Sequence, residues 1–428
     1  METLVEFFSF KYINIGYVVF GTVLLSISSS IVGCFTFVKK KSLVGDVVSH
    51  AILPGICIAF IISDSKDPFF LIVGAFITGW TSILVMDAIT RNTKIKEDAA
   101  TGLALSVFFG VGILLMTHIQ HSGNANQSGL DTFLFGKAAA LIGEDLVAFS
   151  IIAIIVLLIV FLFFKEFKLI SFDPNFAKAI GLPIKKMEIL LTSVTVLAVV
   201  TGVQAVGVVL MAAMLITPAA AARFWTNQLS KMILLAALFG AFSGVSGAFI
   251  SYSAPSMPTG PWMVMILSII AIISFFFAPK KGILIRQLRR VAIRRQLLEE
   301  NLLKTFYRIG ENSTNYFNKV NENDLGLIRN FSPKQLTNGL KKLKKNGYIN
   351  KALSQWYLTN DGYEKGKRIT RLHRLWELYL TEYLRIAPDH VHEDADTIEH
   401  VITPELESRL EKLLDYPTTD PHSSAIPK

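Results

Sequence analysis

The chain has 428 residues, 52% of them hydrophobic and 18% charged, with a formal net charge of +9 and a mean hydropathy of +0.47. That balance excludes a single soluble domain and places part of the chain in lipid. Only Cys34 and Cys57 occur, both in apolar stretches, which excludes a disulfide framework and a cysteine-based zinc site.

The opening "METLVEFFSF" carries two Glu before any Lys and no small-residue cleavage site, so the first apolar segment is expected to stay in the mature protein. Apolar windows follow at about 15–38, 43–62, 68–89, 99–119 and 146–164, then a double-length stretch at 188–226, then 231–252 and 261–278. Each is near the roughly 20 residues a helix needs to span hydrocarbon. The double stretch is expected to break at "GVQAVG", 202–207, giving nine crossings. Basic clusters at 39–41, 91–96, 165–168, 184–186 and 280–281 then fall on one side, which the positive-inside rule makes the cytoplasm. The N-terminus and the polar segment 120–144 are expected outside, and everything from 279 onward inside.

Up to residue 278 there are 16 Lys/Arg against 14 Asp/Glu, and beyond it 26 against 19, so the basic excess belongs to the tail. After "RQLRRVAIRRQ", the apolar residues of "LLEENLLKTFYRI" recur at helical spacing, as an amphipathic helix requires. "FSPKQLTNGLKKLKKNG" predicts a helix with Ser332 as N-cap, Pro333 at its first position, Leu336, Leu340 and Leu343 on one face, and Gly347 past its end. "YIN" and "WYLT" predict a small hairpin, and "NDGYEKG" opens a helix running through "RLHRLWELYLTEYL". Helix, basic helix, hairpin and long helix, in that order, make a winged helix.

Within the second window, "GDVVSHAILPG" sets Asp46 and His50 four residues apart, on one face of a helix. Ionisable groups in hydrocarbon are costly and by default functional. The competing reading places Asp46 at the interface beside Lys39, Lys40 and Lys41. Pro54 and Gly55 follow, and the helix is expected to break there, as transporter helices do where backbone meets an ion.

The stretches "KKKSLVGDVVSHAILPGICIAF", "EDAATGLALSVFFGVGILL", "FDPNFAKAIGLPIKK" and "QAVGVVLMAAMLITPAAAAR" resemble the permease family of bacterial ABC importers for manganese, zinc and iron. The resemblance implies that Asp46 and His50 lie on the transport path or its gate. A carboxylate and an imidazole also suit Mn²⁺, Fe²⁺ or Zn²⁺ on chemical grounds, without choosing among them. It further implies that residues 172–183, with Asp173, Ala177 and Gly181, form the helix that docks on the ATPase; an ordinary amphipathic loop is the plainer reading. No G-x-x-x-x-G-K-[ST] occurs, so the permease is expected to be no enzyme itself, with ATP hydrolysis supplied by a partner subunit. An extracytoplasmic metal-binding protein and a second permease subunit, identical or a sister, are the other partners the resemblance implies.

"LTNDGYEKGKRITRLHRLWELYL", "VHEDADTIEHVITPELESRLEKLL" and "YPTTDPHSSAIP" resemble the diphtheria-toxin-repressor type of metal-dependent regulator. His373 and Glu377 are four apart, and His392, Asp396, Glu399 and His400 form a stripe at i, i+4, i+7 and i+8. Such mixed nitrogen and oxygen donors suit divalent transition metals. The resemblance implies one metal site from Asp396, Glu399 and His400 and a neighbouring one from His373, Glu377 and His392. Where the family adds a ligand from the first helix, this chain has Asn301, with Glu300 beside it. The basic helix presents Lys334, Gln335, Lys341, Lys342, Lys344 and Lys345, a set suited to phosphates and therefore to DNA.

The expectation is an all-α polytopic membrane protein of about nine transmembrane helices, ABC-importer permease type, with a C-terminal cytoplasmic winged-helix and helical metal-binding domain. The divisions are 1–278 permease, 279–296 basic linker, 297–365 winged helix and 366–428 metal binding and dimerisation. The expected function is ATP-driven import of Mn, Zn or Fe across a bacterial plasma membrane under control of the tail, which takes Mn, Fe or Zn as cofactor. A membrane-tethered metal-dependent transcription regulator and an ion-gradient-driven transporter are the rival readings.

Overall fold

The computed structural model describes residues 2–65, 67–121, 136, 141, 143–254, 257–385, 404–422 and 424–427. The chain divides into two compact units, Met1–Arg286 and Gln287–Lys428.

The first unit is helical. After the short α1 (Glu2–Phe8) come α2 (Ile13–Val38), α3 (Val44–Ser63), α4 (Pro68–Asn92), α5 (Glu97–His121) and α6 (Gly143–Leu162). Two short helices, α7 (Phe164–Phe172) and α8 (Pro174–Ala179), precede α9 (Ile184–Val206), α10 (Val208–Trp225), α11 (Leu229–Ser253) and α12 (Thr259–Phe277). Among the described residues nine of these helices are long and apolar enough to cross a membrane. The double-length stretch breaks at Gly207, whose φ of 92° is a conformation that side chains with a Cβ rarely adopt.

α2, α3 and α9 form the centre, with Val32, Phe35, Val47, Ile52, Val199 and Val203 fully buried. α6 and α12 lie at the periphery and leave Ile154, Leu158, Phe161, Ile272 and Phe277 exposed, as helices facing lipid or another subunit do. Hydroxyls along α2 return to their own helix: Thr22, Ser26, Ser28 and Thr36 each donate to a carbonyl three or four residues back. They satisfy themselves without water. α3 and α4 touch backbone to backbone, since a Cβ on Gly55 would stand 2.1 Å from the Gly74 carbonyl oxygen.

α3 runs unbroken through Pro54, against the expected break. Pro54 costs the helix one hydrogen bond, because it offers no N–H to the His50 carbonyl. Ile52, Leu53, Ile56 and Cys57 around it are all buried, and such packing by neighbours lets membrane helices carry proline.

α13 (Ile283–Asn312) contains the boundary between the units. The second unit continues with α14 (Glu322–Ile328), α15 (Pro333–Lys345), an antiparallel hairpin of β1 (Ile349–Ala352) and β2 (Gln355–Leu358), α16 (Asn360–Glu382) and α17 (Pro404–Leu413). Ile349 pairs with Leu358, so both point into a core with Leu302, Phe306, Leu340, Leu343 and Trp356. This is the winged helix read from the sequence. α14, which that reading left unassigned, starts with Asn321 and Asp324 in a capping box.

Candidate functional site

Asp46 sits in the first turn of α3, where a carboxylate complements the helix dipole. One turn on, His50 Nε2 lies 3.6 Å from Asp46 Oδ1. The imidazole stands edge-on to Phe109 of α5, with ring centroids 5.0 Å apart. His50 Nδ1 is buried and has no hydrogen-bond partner. The His50 carbonyl also lacks its usual helical donor at Pro54, so an unpartnered ring nitrogen and a carbonyl freed from its i+4 bond lie on one residue beside a carboxylate. Two donors are too few to hold an ion alone. Among the described residues no three His, Cys, Asp or Glu side chains are grouped to bind a metal.

A second feature of this unit was not foreseen. Asp87, Arg91, Lys185 and Glu188 line a cavity of about 320 Å³ between α4 and α9. Asp87 pairs with Arg91 at 3.5 Å and Glu188 with Lys39 at 3.0 Å. Charges shared between α4, α9 and the end of α2 leave no single periodic signal for a sequence reading to find.

Asp173 caps α8, its Oδ1 accepting from Phe176 N at 2.9 Å. Ala177 is fully buried, so it supports the segment from beneath and is withheld from any partner. The surface belongs instead to Phe172, Phe176 and Ile180, each more than half exposed. Gly181 has φ of 84° with open space around it, so a side chain there would strain the backbone whatever it met.

In the second unit, His373 Nε2 and Glu377 Oε1 approach to 2.7 Å on α16, with residue exposures of 6% and 1%. They line a cavity of about 100 Å³ together with Arg374, Asp420 and His422. Asp420 Oδ1 accepts from the backbone N–H groups of His422 and Ser424 at 2.9 and 2.8 Å, fixing a tight turn. Arg374 donates to both Glu311 oxygens at 2.8 and 2.7 Å and lies 3.5 Å from Asp420 Oδ2. Burial opposes its charge, but the hydrogen bonds and charge of Glu311 together with Asp420 hold its pKa above the usual arginine value. Asp420 and His422 line the same cavity and the sequence reading passed over them, but they do not complete a group of three metal donors with His373 and Glu377. Their Asp-Pro-His spacing, in a stretch singled out for another reason, was the available signal. His392, Asp396, Glu399 and His400 lie outside the described residues.

Three expected roles are altered. Asn301 Oδ1 accepts from Arg329 Nη1 at 2.9 Å, so its oxygen is engaged in tying α13 to the segment after α14. Glu300 accepts from Gln296 at 2.9 Å. On α15, Gln335 closes a capping box with Ser332, and Lys342 Nζ lies 2.6 Å from Glu299 Oε1. Those two side chains are held by the protein itself. Lys334, Lys341, Lys344 and Lys345 remain exposed.

Ionisable groups carried in a bundle of apolar helices, and a segment shaped to present apolar side chains below it, describe a polytopic membrane transport subunit. Residues 11–278 match the ABC 3 transport family, and residues 359–428 match the metal binding and dimerisation domain of iron dependent repressors. The chain belongs to the ABC 3 transport family. It is 40% identical over 375 residues to the manganese transport system membrane protein MntC of Bacillus subtilis, covering 87% of this chain and 86% of that one. It is 44% identical over 283 residues to the zinc transport system membrane protein TroC of Treponema pallidum, covering 66% and 94%. Among solved structures, PsaBC from Streptococcus pneumoniae in complex with Fab superposes with a TM-score of 0.59 at 34% identity, covering 65% of this chain and 97% of that chain.

Proposed function

We propose that the chain is the membrane permease of an ATP-driven importer for a divalent transition-metal cation, manganese, zinc or iron, regulated by its own C-terminal domain. The observation that carries this is the Asp46–His50 pair with its unpartnered Nδ1 on a buried membrane helix. The named functions of the manganese and zinc relatives support the substrate class. A second permease copy, identical or a sister, would double the donors from two to four, the usual number for Zn²⁺. Phe176 and Ile180 supply an apolar knob for an ATPase subunit, and an extracytoplasmic protein would deliver the ion.

The tail is read as cytoplasmic and metal-responsive. His373, Glu377, Asp420 and His422 line one cavity with two imidazoles and two carboxylates, donor types that suit a divalent transition metal, although no three of them are grouped closely enough here to hold one. There Glu377 orients His373, and the turn at Asp420 positions His422. A bound metal would link α16 to the C-terminal turn by shared ligation. The family match at 359–428 supports this. Residues 1–278, 279–296, 297–365 and 366–428 remain the working divisions, and the exposed lysines of α15 the working DNA contacts.

The test is uptake of radiolabelled Mn²⁺ and Zn²⁺ by membranes carrying the chain with its ATPase, for Asp46→Asn and His50→Ala. Wild-type uptake in both variants would dismiss the transport site. For the ATPase contact, Phe176→Asp with Ile180→Asp replaces exposed side chains and avoids the strained Gly181. Transport that still follows ATP hydrolysis in this variant would favour an ion-gradient mechanism.

A further inference from the structure

The first half of α13 has no role in the transport reading. Its residues from Arg286 to Gln296 are all exposed. Leu284, Leu288 and Val291 recur at i, i+4 and i+7, so they share one side of the helix, and they are 42%, 66% and 44% exposed. Arg286, Arg289 and Arg290 fall on the opposite side, which Ile293 shares, and Arg294 lies on the flank between the two. None of these four arginines pairs with a carboxylate among the described residues. Arg295 lies on the apolar side and is long enough to carry its charge to the edge of it. A helix with this partition, exposed to water on both faces, leaves apolar area and positive charge uncompensated together.

Its position along the chain narrows what covers it. Only residues 278–282 separate it from the last membrane span, so its start lies within about 20 Å of the end of α12. The connection is tight: Gly282 N donates to the Ala278 carbonyl at 2.8 Å. Lys281 Nζ donates to the Arg223 carbonyl at 3.0 Å, near the end of α10. The helix therefore begins where two membrane spans end, at the level of lipid headgroups.

We propose that residues 283–296 form an interfacial helix that lies on the leaflet and binds anionic lipid, with Leu284, Leu288 and Val291 in the acyl boundary and the four arginines at headgroup phosphates. An amphipathic helix with cationic side chains binds membranes by both contributions together, and each arginine near an anionic surface adds to the affinity. The segment is thus a lipid-reading surface rather than a passive linker.

The experiment uses the full chain with Leu288→Cys, carrying a bimane label, in liposomes of phosphatidylcholine alone or with phosphatidylglycerol. Cys34 and Cys57 are buried and stay unlabelled. Quenching by doxyl-labelled lipid is expected to rise at least about threefold when phosphatidylglycerol is present, and to fall back in high salt. A variant with Arg286→Gln, Arg289→Gln, Arg290→Gln and Arg294→Gln should show the phosphatidylcholine level in both. If that variant does not insert, the salt titration of the unaltered arginines decides alone. Equal quenching in the two lipids, or a label open to aqueous iodide in both, would overturn the proposal. Protection of the label by duplex DNA without any dependence on phosphatidylglycerol would overturn it in favour of a nucleic-acid surface.

Discussion

The two units each place a histidine and a carboxylate four residues apart on a helix, and they do opposite things with the pair. On α3, Asp46 and His50 stand 3.6 Å apart, partly exposed, with a ring nitrogen left over. On α16, His373 and Glu377 close to 2.7 Å, almost wholly buried, beside a small cavity that also holds Asp420 and His422. The spacing is common to both and the surroundings differ. A loose, under-coordinated pair suits an ion that must leave, since conduction needs binding weak enough for release. A compact pair with further donors at hand suits one that stays.

The sharpest way to break this contrast is to remove the loose pair. Loss of even an outer partner of a metal ligand costs roughly 10–100-fold. Asp46→Asn with His50→Ala should therefore lower metal uptake by at least about 100-fold, measured in vesicles, while the tail still binds metal by calorimetry. Parallel loss of both would mean that the two sites are one functional unit.

The converse change comes next. His373→Ala with Glu377→Gln should weaken metal binding by the full-length chain about 10–100-fold. Initial uptake at low metal should stay near wild type, because the path lacks these residues. Calorimetry in detergent alongside vesicle uptake separates the two, and a collapse of uptake would put these residues in the path.

A smaller effect tests the cavity-lining residues found only in the structure. Asp420→Asn and His422→Ala should each reduce tail affinity by about tenfold if the C-terminal turn shares the site. Affinity unchanged in both would return the site to His373, Glu377 and the stripe at 392–400. The smallest change concerns Phe109, whose edge-on contact with His50 belongs to a class of contacts worth about 0.5–1.5 kcal/mol. Phe109→Leu should slow uptake by a few-fold through a looser imidazole; an unaltered rate would show that the ring packs without orienting.

Much of this architecture is legible in the sequence because lipid imposes long apolar runs and the winged helix announces its caps. Ser332, Pro333 and Gly347 bound α15 as read. What escaped depends on tertiary context. Pro54 fails to break α3 because buried neighbours hold the helix together. Gln335 looks like a surface contact until its side chain is seen capping its own helix. Asp420 and His422 lie more than 40 residues from Glu377, and only folding brings them to its cavity. Asn301 is explained by an arginine 28 positions away, a pairing that local spacing does not reveal.

The contact between Gly55 and Gly74 sets how the transport helix can move. With backbone against backbone only a turn beyond His50, α3 and α4 are separated there by no more than the small side chains of Ala59 and Thr78. Sliding one past the other would drive peptide groups into collision, so the Gly55–Gly74 contact resists shear between the two helices at this level of the membrane.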